Sequence, residues 1–542
     1  MSLEEQKNVP QVDPVADDNP FSSFEEVNDI PRRKNKLVSF LTSSAGIFTT
    51  LGVTLLLIVS IVLVIIFDPF SKPEPDTGES NNAITEQTTI TLLDKSKNSA
   101  VVIDRVDIQN SNGSYSIRYN EKEELFYLDG YADVLLGMDM IDTLQEYASK
   151  LIAIDQVKDA NNLKDFGLDK PAATATVTFA DKSTVTIQVG NPTPDEDGYY
   201  VQTSAKDGVY IFENDAALPF TYRHTAYVDV TLISTPSVLK DDANGTAVLK
   251  EISYSGKNYQ TPFILRRSYQ SDSEEMMLFS YIISQPYLRG TNDTATSALS
   301  NFTGLYADQA LIIKPTEKEK EALGFHNPLT VLDIVMAVET TDQEDAEKIR
   351  YYNSTTSKVT IGSVEDDAYA VMVDGLDIIF LVDKASFSAI AERTYDNSVN
   401  SLLFTKNIVE IGRISITMNG ETYDFNLKHF DTENSDTSLK VTVGDKTYPT
   451  ADFRELYAIL MTLERYGKTD KTASSDDAVM SIKMYHNDGS FYIGADYYSL
   501  DGSLCLVKTT EGEIYTTRWH YVTHFTEQVE NYINGEKVLL LT

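Results

Sequence analysis

The sequence predicts an α+β protein in which a single N-terminal transmembrane helix precedes three tandem, related strand–helix–hairpin modules. Three observations predict this. Ile47–Phe67 carries no charge. Beyond residue 91, threonine-rich hairpin patterns alternate with amphipathic helical ones. A Gly-x-x-x-Pro element occurs at Gly167–Pro171 and again at Gly324–Pro328.

The apolar stretch IFTTLGVTLLLIVSIVLVIIF, centred near Leu56, has one glycine and no proline. As a helix it would measure roughly 30 Å, the thickness of a bilayer's hydrocarbon core. Arg32, Arg33, Lys34 and Lys36 precede it, and Asp68 follows. That asymmetry predicts a cytoplasmic N-terminus and an extracytoplasmic C-terminal ectodomain in a cell membrane. A cleaved signal peptide would have a shorter basic lead, a shorter apolar core and small residues at the cleavage point. The expected segments are a disordered cytoplasmic tail (1–36), the anchor (37–67), a Pro- and Ser-rich linker (68–90) and modules over 91–235, 236–400 and 401–542.

A chain of 542 residues exceeds what one hydrophobic core usually holds. Its net charge of −37 argues against nucleic acid, whose phosphates would be repelled. The lone cysteine, Cys505, allows no intrachain disulfide, which points away from an animal secreted ectodomain and toward a bacterium.

In the first module, Val101–Ile108 and Tyr115–Tyr119 read as strands around Asn112-Gly113. A helix is expected through Ile141, Leu144, Ala148, Leu151 and Ile152, which share one face at a period of 3.6. LKDFGLDKP follows, in which Gly167 suits the left-handed position past a helix end and Pro171 blocks its resumption. Ala175, Val177 and Phe179 alternate with threonines, Val185, Ile187 and Val189 alternate again, and Gly190 is expected to end that strand. Tyr199-Tyr200-Val201 and Val209–Phe212 read as two more strands about an Asp207-Gly208 turn.

The order returns twice. LGFHNP echoes FGLDKP, and KVTIGS echoes TVTIQVG. Later, IGRISITMNGETYDF parallels IDRVDIQNSNGSYSI; its helix carries Phe453, Leu456, Tyr457 and Leu460 and is expected to end at Gly467. Between Pro236 and Leu311 the second copy has a long, diverged start.

LKDFGLDKP, a hairpin ending TIQVGN, then GYYVQ and VYIF together resemble the bacterial "domain of unknown function 4340" family, most closely over about residues 90–220. The resemblance implies an exported or membrane-anchored protein, often associated with components of ABC-type transporters. It implies no catalytic residues.

No assembled chemistry emerges from the residues themselves. His520 and His524 have the i, i+4 spacing of helical metal ligands, but Tyr521 stands where a zincin needs its glutamate. Asp195-Glu196-Asp197-Gly198 lacks the closing glutamate of a calcium loop and reads as a turn. Cys505 sits in the apolar run SLCLV and reads as a buried strand residue. No catalytic, metal or cofactor residue is assigned. The outward rings of the pairs Tyr199-Tyr200 and Tyr497-Tyr498 are the candidate ligand contacts. We therefore expect an accessory or binding protein that contacts the bilayer through one helix and partners a multi-span permease or other membrane-complex subunit. The alternatives are a cell-envelope hydrolase working with paired carboxylates, and a cell-surface adhesin.

Overall fold

The computed structural model describes residues 89–96, 103–341, 349–430, 438–475 and 477–540. They fold mostly into antiparallel β-sheet, which corrects the α+β expectation. The repeating unit is a large meandering sheet rather than a strand–helix–hairpin module.

The first sheet contains β2 (Ile103–Asn110), β3 (Gly113–Asn120), β4 (Leu125–Leu128), β6 (Asp155–Gln156), β7 (Ala173–Phe179), β8 (Thr184–Pro192), β9 (Gly198–Thr203) and β10 (Lys206–Glu213). Its order is β4-β3-β2-β7-β8-β9-β10-β6. A separate pair joins β1 (Ile90–Asp94) to β5 (Lys150–Ala153). The middle sheet contains β12 (Thr246–Ser255), β13 (Phe263–Arg267), β14 (Tyr281–Gln285), β15 (Arg289–Gly290), β17 (Gln309–Ile313), β18 (Thr330–Thr341), β19 (Ile349–Glu365), β20 (Ala368–Val373) and β21 (Ile378–Asp383). Its order is β15-β14-β13-β12-β18-β19-β20-β21-β17, while β11 (Thr231–Ile233) pairs with β16 (Leu305–Tyr306). The last sheet contains β22 (Ile411–Met418), β23 (Glu421–His429), β24 (Leu439–Val443), β25 (Lys446–Tyr448), β26 (Met480–His486), β27 (Phe491–Ser499), β28 (Leu504–Thr509) and β29 (Ile514–Arg518). Its order is β25-β24-β23-β22-β26-β27-β28-β29.

All three orders follow one rule. Three strands in the first sheet, and four in the other two, meander to an edge; the chain then crosses a face of the sheet, and four more strands meander away beside the first. The crossing carries the helices α1 (Met138–Ser149) in the first sheet, α4 (Asp293–Ser300) and α5 (Glu317–Ala322) in the middle one, and α8 (Thr450–Met461) in the last. The remaining helices are short, namely α2 (Asn214–Ala217), α3 (Glu274–Met277), α6 (Lys384–Ala391) and α7 (Tyr395–Ser398), except for α9 (Trp519–Asn534).

Strand alternation explains the core. In β7, Ala173, Ala175, Val177 and Phe179 are buried while the threonines between them are half-exposed. These join Ile141, Leu144 and Ala148 of α1 in a core that continues into the middle sheet. A second core joins Ile414, Ile482 and Tyr497 to Leu456 and Leu460 of α8 and to Phe525 and Val529 of α9. Each fully buried aromatic or branched side chain contributes roughly 1.5–3 kcal/mol, so covering one face of each sheet is the dominant stabilising term.

Several local expectations are corrected by strand pairing. Helix α1 stops at Ser149, and Leu151 and Ile152 belong to β5. Asp207 and Gly208 lie within β10 at a register shift, and the turn falls on Ser204 and Ala205. Helix α8 ends at Met461, while Gly467 bridges to Thr516. The long start read between Pro236 and Leu311 contains β12 to β15 and α4.

The membrane-anchored, extracytoplasmic placement is also corrected. Among the described residues no helix is long and apolar enough to cross a membrane. Helix α9, the longest among the described residues, has 16 residues and a polar face, against the roughly 20 apolar residues a span requires. The expected span with Ile47, Leu56 and Phe67, its preceding tail and nearly all of the linker lie outside the described residues.

Candidate functional site

The residues singled out from sequence are scattered. Gly167, with φ 72°, caps a 3-10 turn at Leu163–Phe166, and the Leu168 N–H donates to the Leu163 carbonyl at 2.9 Å. Gly324, with φ 80°, follows α5 in the same way, with Phe325 N–H donating to Lys320 at 2.9 Å. Gly190 does not end its strand, since β8 runs on to Pro192; it and its counterpart Gly362 in β19 lie against the carbonyls of Phe166 and Leu323. Pro171 is half-buried just before β7, and the Pro328 carbonyl accepts from the Lys257 N–H at 2.9 Å. These are packing elements.

The tyrosines do not converge. Tyr199 and Tyr200 are half-buried in β9, with Tyr200 edge-on to Phe166. Tyr497 is fully buried in β27, and Tyr498 lies under the Lys508 ammonium, 4.7 Å from its ring centre. His520 and His524 lie on α9; His524 Nε2 is buried without a partner. Asp195-Glu196-Asp197 forms the turn between β8 and β9. Among the described residues no group of three His, Cys, Asp or Glu side chains could hold a metal ion.

The charged chemistry gathers instead where the middle and last sheets meet. Glu513, 3 % exposed, sits at the β28–β29 turn. Its Oε2 accepts from Arg289 Nε at 3.1 Å and Nη2 at 3.0 Å. Its Oε1 accepts from the Tyr395 hydroxyl at 2.8 Å and from Arg465. Arg465 also pairs with Asp396, and Arg289 with Glu511 at 2.5 Å. Burial pulls the Arg289 guanidinium down, but Glu513 and Glu511 outweigh it and hold the cation. Every carboxylate oxygen of Glu513 is used, so this cluster is a lock between sheets, not an open site.

Beside it lies a cleft of about 390 Å³, walled by α3, the 405–410 segment and α8. Lys406 is 4 % exposed, with its ammonium held by Glu275 and, at 2.9 Å, by Glu410. Burial would lower the lysine's pKa; the two carboxylates overcome this and raise it, so the amine is a fixed cation rather than a nucleophile. The Tyr457 hydroxyl donates to the Lys406 carbonyl at 2.6 Å, and Tyr492 places its ring 4.9 Å from the ammonium. Glu274 also lines the cleft and has no ion pair among the described residues. Leu278, 74 % exposed, Ile408 and Met461 supply apolar wall. Sequence reading missed this site because Lys406 and Glu275 are 131 positions apart and belong to no motif.

Similarity to a known family covers only part of this cleft, because Glu274, Glu275 and Leu278 lie within the matched residues while Lys406, Glu410 and Met461 lie beyond them. Residues 138–328 match the family model "Domain of unknown function (DUF4340)". The span runs from the first residue of α1 to Pro328 and takes in Gly167, Pro171, Gly190 and Gly324. Over it, the DUF4340 resemblance read from LKDFGLDKP and TIQVGN is supported; membrane anchoring is not. No curated protein and no solved structure gave a significant match.

Proposed function

We propose that the chain is a non-enzymatic binding protein whose ligand site is the cleft around Lys406, and that the ligand is an organic cation with an apolar portion. One observation carries this reading. Three carboxylates, Glu274, Glu275 and Glu410, face the cleft with one ammonium, while Leu278, Ile408 and Met461 supply an apolar wall. An anion finds no free cation on this wall, because Lys406 is already doubly paired. A cation gains both the carboxylate excess and the apolar contact.

The rival reading, hydrolysis by paired carboxylates, needs open space between the two carboxyl groups for water or a nucleophilic approach. Here the Lys406 ammonium stands between Glu275 and Glu410. An accessory role beside a multi-span permease rests on the family resemblance alone, and co-purification with such a subunit would test it.

Calorimetry with hexylammonium and hexanoate tests the ligand class. Hexylammonium is expected to bind and hexanoate not, with binding lost in Glu274→Gln/Glu410→Gln. Equal response to both ions, or undiminished binding by the variant, would overturn the assignment.

A further inference from the structure

The third strand of the opening meander is treated differently in the first sheet than in the other two. In the middle sheet β14 is covered by β15, with Ile282 opposite Gly290 and Ile283 opposite Arg289. In the last sheet β24 is covered by β25, with Val441, Thr442 and Val443 opposite Tyr448, Thr447 and Lys446. The equivalent strand of the first sheet, β4, pairs with β3 alone, apart from a single bridge from Leu128 to Tyr131. Along Leu125, Phe126 and Tyr127 no strand among the described residues pairs with its outer side.

A groove of about 250 Å³ runs beside that edge, lined by Leu125, Phe126, Leu135, Met138 and Ile141. Leu125, Leu135 and Met138 are 49 %, 67 % and 63 % exposed, high values for neighbouring large apolar side chains. The rim carries Glu123 and Glu124, with Asp139 in the first turn of α1, and none of the three has an ion pair among the described residues. An unpaired edge beside an apolar groove is a template for an added strand: the edge supplies main-chain hydrogen bonds, and the groove takes every second side chain.

We propose that β4 is a docking edge for an extended segment of a partner protein that carries alternating apolar and basic residues. The apolar side chains enter the groove past Leu135 and Met138, and the basic ones face Glu123 and Glu124. The partner's charge follows from the rim. A second copy of this chain would bring the same acidic rim on a molecule of net charge −37, and the two would repel.

The test uses the full chain and two fluorescein-labelled peptides, one alternating valine with lysine and one alternating valine with glutamate. The lysine peptide is expected to raise anisotropy, to bind more weakly as salt rises, and to protect amides of Leu125–Leu128 from hydrogen exchange. Leu135→Asp, at an exposed position that leaves the core intact, is expected to weaken binding by roughly tenfold or more, as is Glu123→Lys/Glu124→Lys. Unchanged thermal unfolding would show that both variants fold. Equal binding of the two peptides, wild-type affinity in either variant, or protection confined to other strands would overturn the proposal. So would protection of β4 that grows with protein concentration in the absence of peptide, which would make a second copy the occupant.

Discussion

Gly190 meets the carbonyl of Phe166 backbone to backbone: a Cβ on that glycine would lie within 3.0 Å of the oxygen. The middle sheet repeats the arrangement, with Gly362 against the carbonyl of Leu323. In each case a turn ending in a left-handed glycine, Gly167 or Gly324, is pressed onto a strand that has no side chain at the contact. Gly190→Ala and Gly362→Ala should each cost about 1–3 kcal/mol through overpacking. Gly489, with φ 84° and nothing near its Cβ position, is the control; alanine there pays only the left-handed penalty of about 1 kcal/mol. Urea denaturation compares the three, and equal losses at Gly190 and Gly489 would remove the close-packing explanation.

Glu513 joins Arg289 and Arg465, so neutralising it removes the one buried carboxylate they share and leaves each with a single, more exposed partner, Glu511 or Asp396. Glu513→Gln should destabilise the chain by about 3 kcal/mol. Adding Arg289→Met to that variant should recover part of the loss in a double-mutant cycle. A single variant within about 0.5 kcal/mol of wild type would show that the cluster does not hold the two sheets together.

Lys406 sets an alkaline limit. Its carboxylate partners raise its pKa above the ordinary 10.5 despite burial. The folded state therefore binds the proton more tightly than the unfolded state does. The stabilisation is complete below 10.5 and is lost as pH rises through the folded value. Lys406→Met should cost about 3 kcal/mol near neutral pH, and its gap to wild type should close only at higher alkalinity. A gap that closes between pH 6 and about pH 9 would contradict the pairing.

Cys505 should be chemically silent in the native state. It is fully buried in β28, and burial pushes its thiol up to about 12. Ellman's reagent at mildly alkaline pH is expected to label nothing until denaturant is added, and then one thiol per chain. Rapid labelling of the folded protein would mean that β28 opens locally.

The residues by themselves determined what acts over a few positions. The left-handed glycine at Gly167, the repeat of its Gly-x-x-x-Pro element at Gly324 and the alternation in β7 follow from steric limits on φ and from a two-residue side-chain period. The balance of helix and strand did not follow, because Leu151 and Ile152 fit a helical face as well as a strand until β1 claims them. Tertiary structure alone decided that β2 lies beside β7, β12 beside β18 and β22 beside β26, and so where each sheet keeps an edge. It also brought Glu275 to Lys406, and Arg289 across 224 positions to Glu513. Such ion pairs form between any segments that packing brings together, and a charge carries no local preference that names its partner.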